Sequence, residues 1–177
     1  MEASLLLAKA VHYYDSNGIE YCRATMDLDM SAVREPFTRE LKRGAHILDA
    51  GCGSGRDSKE FLQQGFTVTL VDSSPEIARF ASANTGQTSR VLRLQELDYE
   101  EDFDGVWACA SLLHVAKSEM KDVMQRLVRA LKPGGILYFS FIEGNTERYS
   151  AGGRFFNDYS YCRNLRSTGC FCRMPGA

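Results

Sequence analysis

Apolar positions along the 177-residue chain change their period several times. The runs Ala45 to Leu48, Thr67 to Val71, Arg90 to Leu94, Gly105 to Cys109 and Gly135 to Phe141 are short and rich in Val, Ile, Leu and aromatic residues. Gly, Asp or Pro bounds each run, so they predict five strands. Between the runs the period lengthens. Ser74-Pro75-Glu76 predicts a helix start: the Ser hydroxyl accepts from an orphan amide, Pro suits the first helical position, and the acid suits the positive end. Ile77, Phe80, Ala81 and Asn84 then trace one face. Met120, Val123, Met124, Leu127 and Leu131 recur at three and four residues, which predicts an amphipathic helix stopped by Lys132-Pro133-Gly134-Gly135. The first forty residues predict two further helices, one up to about Tyr14 and one around Ser31 to Leu41. In the second, Val33, Phe37 and Leu41 keep a spacing of four around Pro36. Strands alternating with helices imply βαβ units, hence an α/β fold with a mostly parallel sheet in the middle of three layers.

Composition narrows the class. With 44% hydrophobic and 25% charged residues the chain can bury a core, which excludes disordered, collagen-like and coiled-coil classes. Lys and Arg number 21 against 23 Asp and Glu. That balance gives no broad basic field, so general binding of nucleic acid or of an anionic membrane is not expected. The start of the chain has Glu2, a short apolar run Leu5 to Leu7 and then Lys9, unlike a secretory signal. No apolar stretch approaches the roughly 20 residues that cross a bilayer, and the expected location is cytoplasmic. Cys52 and Cys109 fall inside predicted core elements, so the six cysteines read as reduced thiols. Cys162, Cys170 and Cys172 crowd the tail, but Cys170-Phe171-Cys172 is not a zinc spacing and no metal site is expected.

The segment His46-Ile47-Leu48-Asp49-Ala50-Gly51-Cys52-Gly53-Ser54-Gly55-Arg56-Asp57 runs from a predicted strand through three alternate glycines into a helix. Such a loop lets a ligand lie against bare backbone. Asp72, at the end of the second strand and 21 residues past Gly51, is placed to accept both hydroxyls of a ribose. Together these indicate a nucleoside-containing cofactor. A nicotinamide or flavin fingerprint is G-x-G-x-x-G and receives a pyrophosphate at a helix N-terminus. Here the spacing is G-x-G-x-G and Asp49 precedes it. A carboxylate there repels a pyrophosphate and favours a cationic ligand, such as a sulfonium carrying an α-ammonium group. S-adenosylmethionine has both charges.

These residues resemble the class I S-adenosylmethionine-dependent methyltransferases, and among them the small single-domain enzymes near the tellurite-resistance methyltransferases. The resemblance is carried by Leu48 to Asp57, Val71-Asp72-Ser73-Ser74-Pro75-Glu76, Phe103 to Val115, and Leu131-Lys132-Pro133-Gly134-Gly135. It implies a Rossmann-like sheet and one domain: lid helices over 1–43, a cofactor-binding core over 44–142, and a divergent C-terminus over 143–177. It further implies that Gly51, Gly53 and Gly55 line the methionine portion of the cofactor, with Asp49 near its ammonium. Asp72, with Ser73 beside it, would hold the ribose. Glu96 and Leu97 occupy the place that usually meets adenine, with Asp98 as a further candidate. Ala108 and Ser111 would contact the methionine chain, and Tyr14, Tyr21 and Thr25 would cover the cofactor.

Several of these residues have a plainer reading. Glu96 to Asp102 could be a solvated acidic loop. His114, at a strand end facing the expected pocket, is a candidate general base or a hydrogen-bonded structural histidine. Arg56 supports the site or is a surface charge at a helix start, where its sign is unfavourable. The expected chemistry is direct in-line methyl transfer to a small-molecule acceptor, in which alignment supplies much of the rate and a base is optional. Arg148 and Arg154 would suit an anionic acceptor. Family members usually continue past Gly152 to Tyr159 into a helix and an antiparallel hairpin, but only 18 residues follow Tyr159 here. No clear periodicity marks them, so the C-terminal hairpin is expected to be incomplete. A truncated or frame-shifted reading frame would account for that, leaving strand five, or a single short strand after it, as an exposed apolar sheet edge, with low stability or a homodimer as the consequence. The competing readings are a non-catalytic S-adenosylmethionine-binding protein and a nicotinamide-dependent oxidoreductase, the latter opposed by Asp49 and the glycine spacing.

Overall fold

Alternation along two central strands divides the apolar residues between two faces of a sheet. The computed structural model describes residues 17–159 and 170–173. Strands β1 (His46–Ala50), β2 (Thr67–Asp72), β3 (Ser89–Val91), β4 (Phe103–Ala108) and β5 (Leu131–Phe139) are parallel and lie in the order β3-β2-β1-β4-β5. The helices are α1 (residues 17–25), α2 (Ser31–Arg39), α3 (Arg56–Gln63), α4 (Pro75–Thr85) and α5 (Lys117–Arg129). Leu48, Val106 and Leu137 pack with Met120, Val123 and Leu127 of α5. Their strand neighbours Ile47, Trp107 and Tyr138 pack on the opposite face with Phe37 of α2, Phe61 of α3 and Ala81 of α4. Strands buried on both faces read as continuous apolar runs, which is why β1 and β4 stand out in the sequence. Gly105 makes room for α2, since a Cβ there would lie 2.8 Å from Phe37. No helix among the described residues is long and apolar enough to cross a membrane.

The helix signals act as expected at α4. The Ser74 hydroxyl accepts from the Ile77 amide, Pro75 opens the helix, and Gly86 closes it. Elsewhere the boundaries shift. The third strand is shorter than the run Arg90 to Leu94, because Leu94–Glu96 turns into a 3₁₀ helix. The fifth begins at Leu131, four residues earlier than Gly135. Phe103 pairs with Leu131 and Gly105 with Ile136, so Lys132 to Gly135 bulges out opposite Asp104. A bulge tolerates Pro133, which has no amide to give a ladder, and Lys132 reaches the Asp104 carboxylate at 3.0 Å.

After β5 the chain forms a hairpin of β6 (Glu147–Tyr149) and β7 (Phe155–Asn157), separate from the main sheet. It is tied back to the connection between β4 and α5: Asn157 Nδ2 donates to the Val115 carbonyl at 2.8 Å, and Glu147 accepts from the amide of Lys117, the first residue of α5, at 2.8 Å. Among the described residues of the tail, which lacks readable periodicity, lies one strand, β8 (Cys170–Arg173), antiparallel to β5 with Leu137 opposite Cys172. Four residues are too few to display a period of two. β5 is therefore not the sheet's edge. The expected helix ending near Tyr14 and the residue Cys162 lie outside the described residues.

One buried carboxylate joins three elements. Asp57, in the first turn of α3, accepts from Arg34 of α2 at 2.8 Å, from Arg56 at 2.8 Å and from the Trp107 indole at 3.1 Å. Burial raises its pKa, but these donors outweigh burial and hold it below the usual carboxylate value. Removing one partner of a buried pair leaves charge uncompensated. Arg34→Ala is expected to destabilise the fold by about 2–4 kcal/mol, whereas Arg39→Ala, which breaks an exposed pair with Glu35, costs less than about 1 kcal/mol. Urea unfolding of both variants checks this, and equal losses would refute it.

Candidate functional site

β1 ends at Ala50 and the chain turns at once through Gly51 to Gly55 into α3. Above this turn a cavity of about 310 Å³ opens over the ends of β1, β2 and β4. It lies where the strand order reverses, the usual ligand crevice of an open parallel sheet. The glycines serve different purposes. Gly51 has a φ of +86°, and a Cβ on it would sit 2.5 Å from that of Ser111, so only glycine lets the two loops meet. A Cβ on Gly53 would meet nothing nearer than Tyr21 at 3.9 Å, so it would project into open space lined by both residues. Gly55 does not line the cavity; it packs against Ala81 and Thr85 of α4.

Three carboxylates surround the turn with different surroundings. Asp57 is neutralised by the arginines described above. Asp72 accepts from the Gly53 amide at 3.1 Å and the Ser74 amide at 3.0 Å, which fixes the carboxylate beside the loop. Asp49 is buried, and its Oδ2 accepts from the Ser58 hydroxyl at 2.6 Å. Among the described residues no Lys, Arg or His lies within ion-pair distance of it. Burial and the nearby Asp57 charge push its pKa up to about 7, against the opposing pull of Ser58 and Arg56. Arg56 cannot neutralise it, because its guanidinium is turned to Asp57 and to the Thr25 carbonyl at 3.3 Å.

The far wall comes from the loop after β4. The Ser111 hydroxyl is buried with no hydrogen-bond partner among the described residues. His114 Nδ1 lies 2.7 Å from the Phe155 carbonyl, which can only accept, so Nδ1 carries the proton. Nε2 is then the acceptor, and Arg154 donates to it at 2.9 Å. Burial and this neighbouring cation pull the His114 pKa down to about 3. Arg154 also lies over the rings of Tyr21 and Phe156. Arg148 is held differently, bidentate to the buried Asp158 at 2.6 and 3.2 Å. Cys109 lines the cavity, but burial raises its thiol to about 11, so it is not a thiolate.

Of the residues singled out in the sequence, Tyr21, Thr25, Asp49, Gly51, Gly53, Arg56, Asp72, Ser73, Ser111 and His114 line this cavity. Tyr14 lies outside the described residues. Glu96 is exposed, its carboxylate turned back to the Arg93 amide. Leu97 and Ala108 are fully buried in the core beneath α5. The sequence reading did not single out the cavity residues Leu28, Met30, Ile77, Leu92, Leu94 and Gln95. Leu92 and Leu94 read as strand residues; the 3₁₀ turn after Val91 swings that stretch over the cavity.

The comparisons agree with this geometry. A methyltransferase domain model matches residues 48–139. A ubiquinone biosynthesis O-methyltransferase of Xanthomonas campestris pv. campestris is 33% identical over 149 residues, covering 78% of this chain and 59% of that protein. The chain spans about half the length of the curated relatives it matches. The crystal structure of Burkholderia thailandensis 1,6-didemethyltoxoflavin-N1-methyltransferase, with bound 1,6-didemethyltoxoflavin and S-adenosylhomocysteine, is 28% identical. It superposes with a TM-score of 0.64 over 84% of this chain and 71% of that one. A TehB-like S-adenosylmethionine-dependent methyltransferase from Corynebacterium glutamicum is 27% identical, with a TM-score of 0.64 over 74% of each chain. With the family model spanning more than half its length, and with the strand order and loop described above, the chain belongs to the methyltransferase domain family of the class I, S-adenosylmethionine-dependent fold.

Proposed function

We propose that this protein binds S-adenosylmethionine in the cavity and transfers its methyl group to a small-molecule acceptor. The observation that carries the reading is Asp49: a buried carboxylate that lines a cavity and lacks a cationic partner among the described residues is poised for a cationic ligand. The orphaned Ser111 hydroxyl on the opposite wall supplies a further polar contact for such a ligand. When bound, S-adenosylmethionine supplies an electrophilic methyl on a sulfonium.

In this reading Asp49 holds the α-ammonium group, and the bare backbone at Gly51 and Gly53 admits the methionine chain beside Ser111. Asp72 accepts from the ribose hydroxyls, with Ser73 beside it. Tyr21 and Thr25 of α1 close the cavity against water. His114 shapes the acceptor side as a neutral imidazole, since its basic nitrogen already accepts from Arg154. It is therefore not the base, and the acceptor arrives as a nucleophile that needs no deprotonation by it. Of the two arginines of the hairpin, Arg154 is the one placed beside His114 and Tyr21 to favour an acceptor with negative charge. The ubiquinone and toxoflavin enzymes named above act on small molecules, which supports the same substrate scale.

Three outcomes test this. Because folding raises the Asp49 pKa from an ordinary 3.8 to about 7, ionising it opposes folding as pH rises through that window. The α-ammonium group, which S-adenosylhomocysteine shares, selects the ionised form, so the affinity for S-adenosylhomocysteine should climb about tenfold from pH 6 to pH 8, with proton release. Asp49→Asn should flatten that climb in calorimetric titration while raising stability at pH 8; a flat wild-type profile would count against the assignment. Gly53→Ala should lower affinity on the order of tenfold or more, yet cost only about 1–2 kcal/mol of stability from its left-handed backbone. Transfer of radiolabelled methyl to a metabolite panel identifies the acceptor. With that acceptor, His114→Gln should keep kcat within about tenfold of wild type, whereas a loss of a hundredfold or more would restore the histidine as base.

A further inference from the structure

The connection after β4 carries a strained residue at the cavity wall. Among the described residues, Glu101 and Ala110 are the non-glycine residues with positive φ. Glu101 stands in the stretch before β4, apart from the cavity lining, and its amide donates to the Arg129 carbonyl. Ala110 lines the cavity with a φ of +53°, left-handed backbone that residues carrying a Cβ avoid. Its amide donates at 2.7 Å to a side chain, the hydroxyl of Ser140, which directly follows β5. The Ser140 amide in turn donates to the Ala108 carbonyl at the end of β4, so the hydroxyl is presented from the sheet. What Ala110 orients is Ser111. The Ser111 side chain rests against Gly51, where a Cβ would lie 2.5 Å away, and its carbonyl accepts from the His114 amide at 3.1 Å. That bond opens the 3₁₀ turn Leu112–His114. Rotation of Ala110 into a relaxed conformation would redirect the chain at Ser111 and carry the turn with it.

We propose that Ser140 is a positioning residue for the cavity: it holds Ala110 left-handed and so seats Ser111 against the glycine turn. The proposal rests on the reading that this cavity binds S-adenosylmethionine. Ser140 does not itself line the cavity, so it acts through the Ala110 backbone and not by touching the ligand. Without its hydroxyl the chain divides its time between seated and relaxed loops, and the apparent affinity falls with the seated fraction.

Calorimetric titration with S-adenosylhomocysteine, alongside thermal unfolding, tests this without reference to turnover. Ser140→Ala should weaken binding about three- to tenfold, the range that one hydrogen bond commands. Adding Ala110→Gly to that variant should restore the affinity to within about twofold of wild type, because glycine adopts left-handed backbone unaided. Ala110→Gly alone should raise the melting temperature by about 1–4 °C, since it removes a steric penalty. A merely structural role for Ser140 would lower the melting temperature of Ser140→Ala with its affinity intact. Unchanged affinity in Ser140→Ala, or a loss that Ala110→Gly does not recover, overturns the proposal. A lower melting temperature for Ala110→Gly overturns it as well, because Ala110 would then carry no strain. No binding of S-adenosylhomocysteine by wild type overturns the cofactor reading itself, while the melting comparison still reports on Ala110, so the two failures are distinguishable.

Discussion

The buried carboxylate of Asp57 is the constraint on which the site is built. A charge removed from water must be compensated, and here Arg34, Arg56 and Trp107 converge on one side chain from α2, α3 and β4. That convergence fixes where α3 begins, and so the course of the turn that precedes it. It also directs the Arg56 guanidinium away from Asp49. Two carboxylates at opposite ends of one loop thus have opposite fates: one is neutralised by the fold and the other is buried without an ion-pair partner among the described residues. The unfavourable position of an arginine at a helix start is explained by this arrangement, since Arg56 serves its neighbour and the Thr25 carbonyl rather than the helix.

Features set by neighbouring residues were legible in the sequence. The glycine turn, Asp49 before it, Asp72 closing the next strand and the Ser74 cap each depend on a handful of consecutive residues; Asp49, Gly51, Gly53 and Asp72 line the cavity, and Ser74 caps α4. Features set by tertiary geometry were not. Whether Gln95 or Glu96 faces the cavity depends on the rotation of one 3₁₀ turn, which no periodicity reports. Leu97 and Ala108 are apolar residues at strand ends, where core and cavity wall look alike in sequence. Pro133 and Gly134 carry a helix-stop signal, yet the strand starts at Leu131 because a bulge accommodates them. The short strand Cys170–Arg173 is recognisable only by its pairing with β5.

The hairpin after β5 shows how partners separate residues of equal charge. In sequence Arg148 and Arg154 are interchangeable. Asp158 clamps the first from two directions, so its charge is cancelled within the hairpin. The second stands between His114, Phe156 and Tyr21, where its charge suppresses protonation of the imidazole. The same hairpin supplies the Phe155 carbonyl that selects the imidazole tautomer. Sheet, loop and hairpin therefore define the electrical character of the cavity wall at His114 jointly.

The fastening of α1 bears on traffic through the cavity. The contacts holding it include the Arg56 bond to the Thr25 carbonyl and the Arg154 guanidinium over the Tyr21 ring. Contacts of these kinds are each worth on the order of 1 kcal/mol, far less than the burial that secures the strands opposite. This side of the cavity is thus fastened through two arginines, one from the glycine turn's helix and one from the hairpin, rather than through the sheet.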